Sequence, residues 1–253
     1  MSTNDAYLST DRLTSLGRIL PYWSPVLVAP LPLLGAYLGG IWVLLPVLAT
    51  WVLFSCIDTA VGLDLENADP QTDRRKIRAY QGVTLVWAPL QALSLFATLA
   101  YVPAASHLGG WELAGLAFGL GVMGGTIGIN FSHELMHVGR RTERWLSDAL
   151  LGMVMYSHFR SEHMLVHHRY VCTPRDPVTA RYGENFHRYF PRVVAQCLAY
   201  AFRAEAALQA RRGRRRWHGS HPFWRHWMLQ AHGLSLAFCL AGWVGAVLFL
   251  SQL

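Results

Sequence analysis

The chain has 253 residues, of which 53% are hydrophobic and only 15% charged, with a net charge of +7 carried almost wholly by arginine. That balance excludes an ordinary soluble domain and reads as a multi-span membrane protein. The basic excess belongs to loops on the cytoplasmic side of a membrane rather than to nucleic-acid binding, since no stacking platform or recognition fold accompanies it.

The polar N-terminal stretch is not a cleavable signal peptide, so the first span is expected to target the protein. Apolar runs of about 20 residues, long enough to cross a bilayer, occupy 19–39, 41–63, 80–101, 111–132 and 227–252. The first two are separated by Gly39 and Gly40 and predict a tight helical hairpin. Asp58, near the end of the second run, reads either as an acid reaching the interface or as a group supporting a site. Arg12 and Arg18 precede the first run, Arg74, Arg75, Lys76 and Arg78 precede the third, and fifteen arginines lie between Arg140 and Arg216. An N-terminus in the cytoplasm puts every basic loop on that side. The fourth run carries glycines at four-residue spacing (Gly115 and Gly119, Gly121 and Gly125, Gly124 and Gly128), read as close helix packing in preference to a direct catalytic role.

Residues 133–168 follow, holding six of the twelve histidines in 36 residues. His133 and His137 are four apart and share a helix face; His163 and His167 repeat the spacing, with His168 about 100° round the same helix, where it reaches toward a second metal. Residues 145–159 are apolar but too short to span, and are expected as a helix dipping into the bundle that returns the chain. Five histidines with Glu134 and Glu162 beside two of them exceed what one tetrahedral zinc ion needs, so a dinuclear site is the more economical reading. His158 lacks a partner on its own face and is read as a core histidine. Two reactions compete for these residues. HELMH matches the HExxH zinc-protease pattern with Glu134 as general base, but leaves His163–His168 unused; a non-haem di-iron oxygenase uses both clusters. A third, non-catalytic reading is a metal-binding subunit completed by a partner. The basic run 210–217 lies on anionic lipid headgroups or docks an acidic electron carrier. The four cysteines are scattered and read as unpaired. Trp217, Phe223 and Trp224 suggest an interfacial aromatic belt.

SHELMH, followed by SEHMLVHHRYVCTPRDPVTARYGENFHRYFPR, resembles the alkane 1-monooxygenase family and the related xylene and alkylaromatic side-chain hydroxylases, within the histidine-rich membrane superfamily that includes fatty-acid desaturases. The resemblance runs from about residue 51 onward and takes in Asp58 and Asp64. It implies an all-α, multi-pass transmembrane bundle in a bacterial inner membrane, one domain over 1–253. Residues 19–132 would hold four spans, 133–222 the cytoplasmic metal-site and amphipathic segment, and 227–252 the fifth span. It implies that His133, His137, His163, His167 and His168 hold iron, two ions in the complete family site, with Glu134, Glu162, Asp176 and Glu184 as supporting carboxylates. The turn 173–177, with Arg181, Gly183 and Glu184, would brace the backbone behind the cluster. O2 and an apolar substrate would meet there, with electrons from rubredoxin or a ferredoxin-type carrier, to hydroxylate a terminal methyl; a desaturase-like or other lipid hydroxylase is the neighbouring alternative. Family members continue into a sixth span and a late histidine cluster, and the sequence reads as ending before them.

Overall fold

The computed structural model describes residues 19–61 and 74–252, and every regular element among them is helical. Five helices are long and apolar enough to cross a membrane: α1 (Ile19–Leu38), α2 (Gly40–Ala60), α3 (Arg74–Tyr101, spanning from Arg78), α4 (Gly110–His137) and α8 (Pro222–Leu250). The protein is thus an all-α, multi-pass membrane bundle. Between α4 and α8 lie α5 (Arg141–Met153), α6 (residues 159–170) and α7 (Phe186–Arg211). Arg12, Arg18, Leu63 and Asp64 fall outside the described residues.

Helix α3 is the axle: α1, α4, α5 and α8 all pack on it. Its core side chains Trp87, Leu95 and Leu99 are buried against Leu116, Leu120 and Met123 of α4 and Phe249 of α8. Outward, Trp51, Val52, Leu53, Leu93 and Trp243 are exposed apolar side chains of the spans, the surface a bilayer covers. The α1–α2 hairpin turns at Gly39 and Gly40, both left-handed (φ 66° and 55°), where a side chain at 39 would collide with His107. Asp58 is exposed, as an interfacial acid would be.

The glycines of α4 divide by role. A Cβ at Gly115 or Gly119 would press on Val43 and Pro46 of α2, and one at Gly124 or Gly128 on Val154 and Gln91, so these four set helix approach. Gly121 and Gly125 line a groove instead: a Cβ at Gly125 would meet nothing, and one at Gly121 only the Ser251 carbonyl oxygen at ordinary contact distance.

The segment after α4 differs from a single dipping helix. Helix α5 ends at Met153 and the chain reverses through 154–158, with Met155 in the left-handed region (φ 55°). The apolar residues of 154–158 therefore form a turn, one that aims α6 back toward the end of α4. Phe223 is buried and does not belong to an exposed belt, whereas Trp217, Trp224 and Trp227 cluster at the start of α8 with ring centroids 5.5–6.0 Å apart.

Candidate metal centre

Helix α4 runs unbroken to His137, so His133 and His137 ride on its last two turns, their rings 4.8 Å apart. Opposite them, α6 is not regular: residues His163–His167 form a π turn. A π turn advances by five residues where an α-helix advances by four, and this changes the partnership expected from spacing. His163 and His168, five apart, bring their Nε2 atoms to 2.9 Å, while His167 stacks beside His163 and turns its Nδ1 to Asp176. A second π turn, Gly124–Gly128, lies in α4 just before its histidines. π turns cluster at functional sites because they re-aim side chains that a regular helix would splay.

His163 is the centre of the group. Its Nε2 lies 2.9 Å from His133 Nε2, 3.3 Å from His137 Nε2 and 2.9 Å from His168 Nε2. One imidazole nitrogen carries either one hydrogen or one lone pair, so three such neighbours cannot all be satisfied as hydrogen bonds. A cation resolves the crowding: nitrogens bound at about 2.1 Å to one ion lie about 3 Å apart when neighbouring bonds are near right angles. His133, His137 and His163 each place a ligand atom within 4.8 Å of the others. Burial and the surrounding imidazoles push His163 down to about 3, leaving it neutral and able to donate a lone pair at ordinary pH. The donor set fits a metal.

The carboxylates behave differently from one another. Asp176, buried, accepts from Val178 N and Thr179 Oγ1, and its Oδ2 lies 3.0 Å from His167 Nδ1. An ionised carboxylate only accepts, so His167 must carry its hydrogen on Nδ1 and present Nε2 as a lone pair. Asp176→Asn loses that selection. Metal affinity should fall about 10–100-fold with the helical content unchanged, measured by metal competition against a chromophoric chelator and by circular dichroism. Glu134 is a weaker version, exposed and 3.4 Å from His133 Nδ1.

Glu184 stands further back. It receives Arg192 Nε and Nη2, both at 2.6 Å, and Arg181 N at 3.0 Å; Arg192 also donates to Pro177 O. These bonds from Arg192 and Arg181 draw its carboxyl down to about 2. Arg192 of α7 thus clamps the 173–184 loop that carries Asp176. The sequence reading missed it, although the arginine sits one residue after Pro191 in the segment quoted for the resemblance.

Glu162 makes no hydrogen bond to a histidine: it is fully buried, and neither oxygen has a hydrogen-bond partner among the described residues. Burial, reinforced by the Asp176 charge, pushes it up to about 7. A carboxyl whose folded pKa lies above its unfolded one favours the fold while protonated and loses that contribution as pH rises through 7. In metal-free protein, Glu162→Gln should therefore raise the midpoint of thermal unfolding at pH 8.5, by roughly 2–3 kcal/mol of stability, and change little at pH 5.

Three contacts pin α6 in place. Arg160 reaches Asp148 of α5 at 3.0 Å, Ser161 donates to Glu205 of α7 at 2.7 Å, and His167 meets Asp176. Asp148 is shared with Arg225 of α8 at 2.9 Å. Neither guanidinium is aligned for a hydrogen bond to it, so this is a Coulombic clamp of one buried carboxylate between two cations. His158 is buried at the start of α6 against Tyr156, outside the cluster. His221 and His226 are buried elsewhere, near Phe223.

Two spaces lie near the centre, and one of them touches it. A groove of about 560 Å³ runs along α4 past Phe118, Gly121, Val122 and Gly125 to Ile129, one turn before His133. A larger, more polar pocket of about 890 Å³ touches His133 and Glu134 from the side of α1 and α3.

Residues 105–253 match the family model described as fatty acid desaturase. The alkane 1-monooxygenase of Pseudomonas putida is 32% identical over 174 residues, 68% of this chain and 43% of that protein. Alkane 1-monooxygenase 2 of Pseudomonas aeruginosa is 29% identical over 248 residues, 94% of this chain and 62% of that protein. Alkane 1-monooxygenase 1 of Alcanivorax borkumensis is 32% identical over 194 residues, covering 74% and 47%. The chain spans about half the length of the curated relatives it matches. It belongs to the fatty acid desaturase family, and its similarity within that family is to the alkane 1-monooxygenases.

Proposed function

We propose that this chain is the metal-binding part of a membrane monooxygenase that hydroxylates the terminal methyl of an alkane or alkyl side chain. The observation that carries the reading is the gathering of imidazoles around His163, one helical turn beyond the Ile129 end of an apolar groove along α4. His133, His137, His163 and His168 would hold iron, with His167, set by Asp176, offering its Nε2 toward a second ion. The chemistry such a pair supplies when bound is reductive activation of O2. The balance is R–CH3 + O2 + 2e⁻ + 2H⁺ → R–CH2OH + H2O. The groove's share is to exclude water and admit a chain end, so that a methyl and not a mid-chain carbon lies at the histidines.

Incubation with an n-alkane, a reduced carrier and 18O2 tests this: one labelled oxygen in a primary alcohol supports it, and unlabelled or absent alcohol from metal-loaded protein refutes it. A zinc-protease reading fits less well, because the Glu134 carboxylate sits beside His133 Nδ1 on an exposed flank and His163 is shared by both halves of the cluster.

Two electrons per turnover must enter from outside, from rubredoxin or a ferredoxin-type carrier. A pocket lined by Arg169, Arg175, Arg203 and Arg211 with Tyr170 and Tyr200 adjoins the π turn through Leu165 and Val166. None of these arginines forms an ion pair among the described residues, and their place beside the π turn favours this surface over Arg214–Arg216 for an acidic carrier. Replacing Arg203 and Arg211 by Gln should slow reduction by about tenfold or more at low salt and flatten its salt dependence; stopped-flow reduction at two ionic strengths measures it. In this reading the histidine end faces the cytoplasm, the N-terminus lies on that side, and the membrane is a bacterial inner membrane.

A further inference from the structure

Hydroxylation changes what the groove must hold. The groove along α4 is walled mainly by Phe118, Val122, Ile129 and glycine, and most of its polar hydrogens are already engaged: Thr126 donates to Val122 O, and Ser251 and Gln252 Nε2 both donate to Leu248 O. A new alcohol there meets few polar groups, and a hydroxyl left unpaired in an apolar site is disfavoured. His133 stands at the border of a second space. One turn after Ile129 of the groove, it also lines the pocket of about 890 Å³ between α1, α3 and the end of α4. That pocket is lined by Val83 and Leu85 and by the phenols of Tyr22 and Tyr80, the Gln81 amide and Asn130.

Those polar groups are held in place but left with bonding capacity. The rings of Tyr22 and Tyr80 meet edge to face with centroids 4.8 Å apart, Trp23 donates to Ala79 O across the same seam at 3.1 Å, and Asn130 uses its Nδ2 on Thr126 O, leaving Oδ1. Tyr22, Gln81 and Asn130 are exposed, so a molecule leaving the histidines by this side meets hydrogen-bonding groups and then solvent. Arg78, Arg140, Glu134 and Glu143 also line the pocket, two charges of each sign with Arg140 and Glu143 paired at 3.5 Å, so the lining mixes donors, acceptors and an apolar wall with no excess charge, which suits an uncharged head on an alkyl chain.

We propose that the pocket between α1, α3 and the histidine end of α4 binds n-alkanols, taking the hydroxyl on Gln81, Asn130 and the Tyr22–Tyr80 pair while the alkyl chain lies on Val83 and Leu85. This rests on the hydroxylase reading for its biological sense, since the alcohol is then the product, and the pocket is its way out from His133. The binding itself needs no metal and no turnover.

The test is photoaffinity labelling of the full chain in neutral-lipid nanodiscs with two probes, 1-dodecanol and dodecane, each carrying a mid-chain diazirine, followed by peptide mapping. The alcohol probe should label residues 78–85 and 130–138, competed by 1-dodecanol at least tenfold more effectively than by dodecane, while the alkane probe labels the groove residues 117–129. Gln81→Leu and Asn130→Leu should each weaken alcohol labelling about threefold to tenfold and leave alkane labelling of the groove unchanged, which shows that the fold is intact. Identical maps for the two probes, equal competition by dodecane, or alcohol label spread over all the spans as a bulk lipid would give, each overturns the proposal. Protein that labels as described but never oxidises an alkane would refute the hydroxylase reading and leave the pocket standing; protein that hydroxylates alkanes without alcohol label at 78–85 would do the reverse.

Discussion

His163→Ala abolishes metal retention and turnover together, a larger loss than substitution of any other histidine. Removing a group that merely orients a ligand costs about 10–100-fold in metal affinity, so removing the imidazole on which three others converge costs more than about a hundredfold. The geometry makes His163 unequal to its neighbours: His133, His137 and His168 each contact its Nε2, whereas His167 meets it only by stacking. His158→Ala is the matching control. It removes a buried histidine five residues away that takes no part in the cluster, and it should lower stability while sparing metal stoichiometry. Metal content by mass spectrometry and thermal unfolding on the same two preparations separate the effects.

Asp148→Asn is the substitution with the largest expected effect on the fold. It leaves the Arg160 and Arg225 guanidiniums facing a neutral amide at positions where they now sit 3.0 and 2.9 Å from a buried carboxylate. Burial pushes the Asp148 carboxyl up and the two arginines draw it back, so the site tolerates the charge only because both cations are present. Breaking a buried pair from one side costs about 3–5 kcal/mol. Because α5, α6 and α8 meet at Asp148, the loss also frees α6 and the histidines on it. Arg225→Met should cost less, since Asp148 and Arg160 then remain as a one-to-one pair. Unfolding midpoints of the two variants in the same detergent give the comparison, and equal destabilisation would count against a shared carboxylate.

The spans were legible because bilayer thickness imposes a length and a composition that any window of sequence reveals. The glycine pairs of α4 were legible as packing, and Gly115, Gly119, Gly124 and Gly128 serve it; that Gly121 and Gly125 are left to line a groove depends on where α2 and α5 end, which spacing does not record. The histidines were legible as a group, but not their partnership. Spacing of four on a regular helix pairs His163 with His167, and the π turn at His163–His167 pairs it with His168 instead. A single extra residue in a helical turn leaves no mark in composition or periodicity. Glu162 illustrates a different limit: adjacency in sequence to His163 suggested a supporting carboxylate, yet neighbours along a helix point about 100° apart, and its carboxyl is buried with no hydrogen-bond partner among the described residues. Asp176, nine residues from His167, does that work because the 171–185 loop folds back under the clamp of Arg192. The Asp148 clamp joins three elements and was invisible for the same reason.

The most direct measurement is iron and zinc per chain on the full polypeptide purified from iron-replete cells, repeated for His167→Ala and His168→Ala. About two irons per chain, falling in both variants, is the result a dinuclear iron centre built on both histidine segments predicts. A single zinc per chain, retained when His167 and His168 are removed, would contradict it.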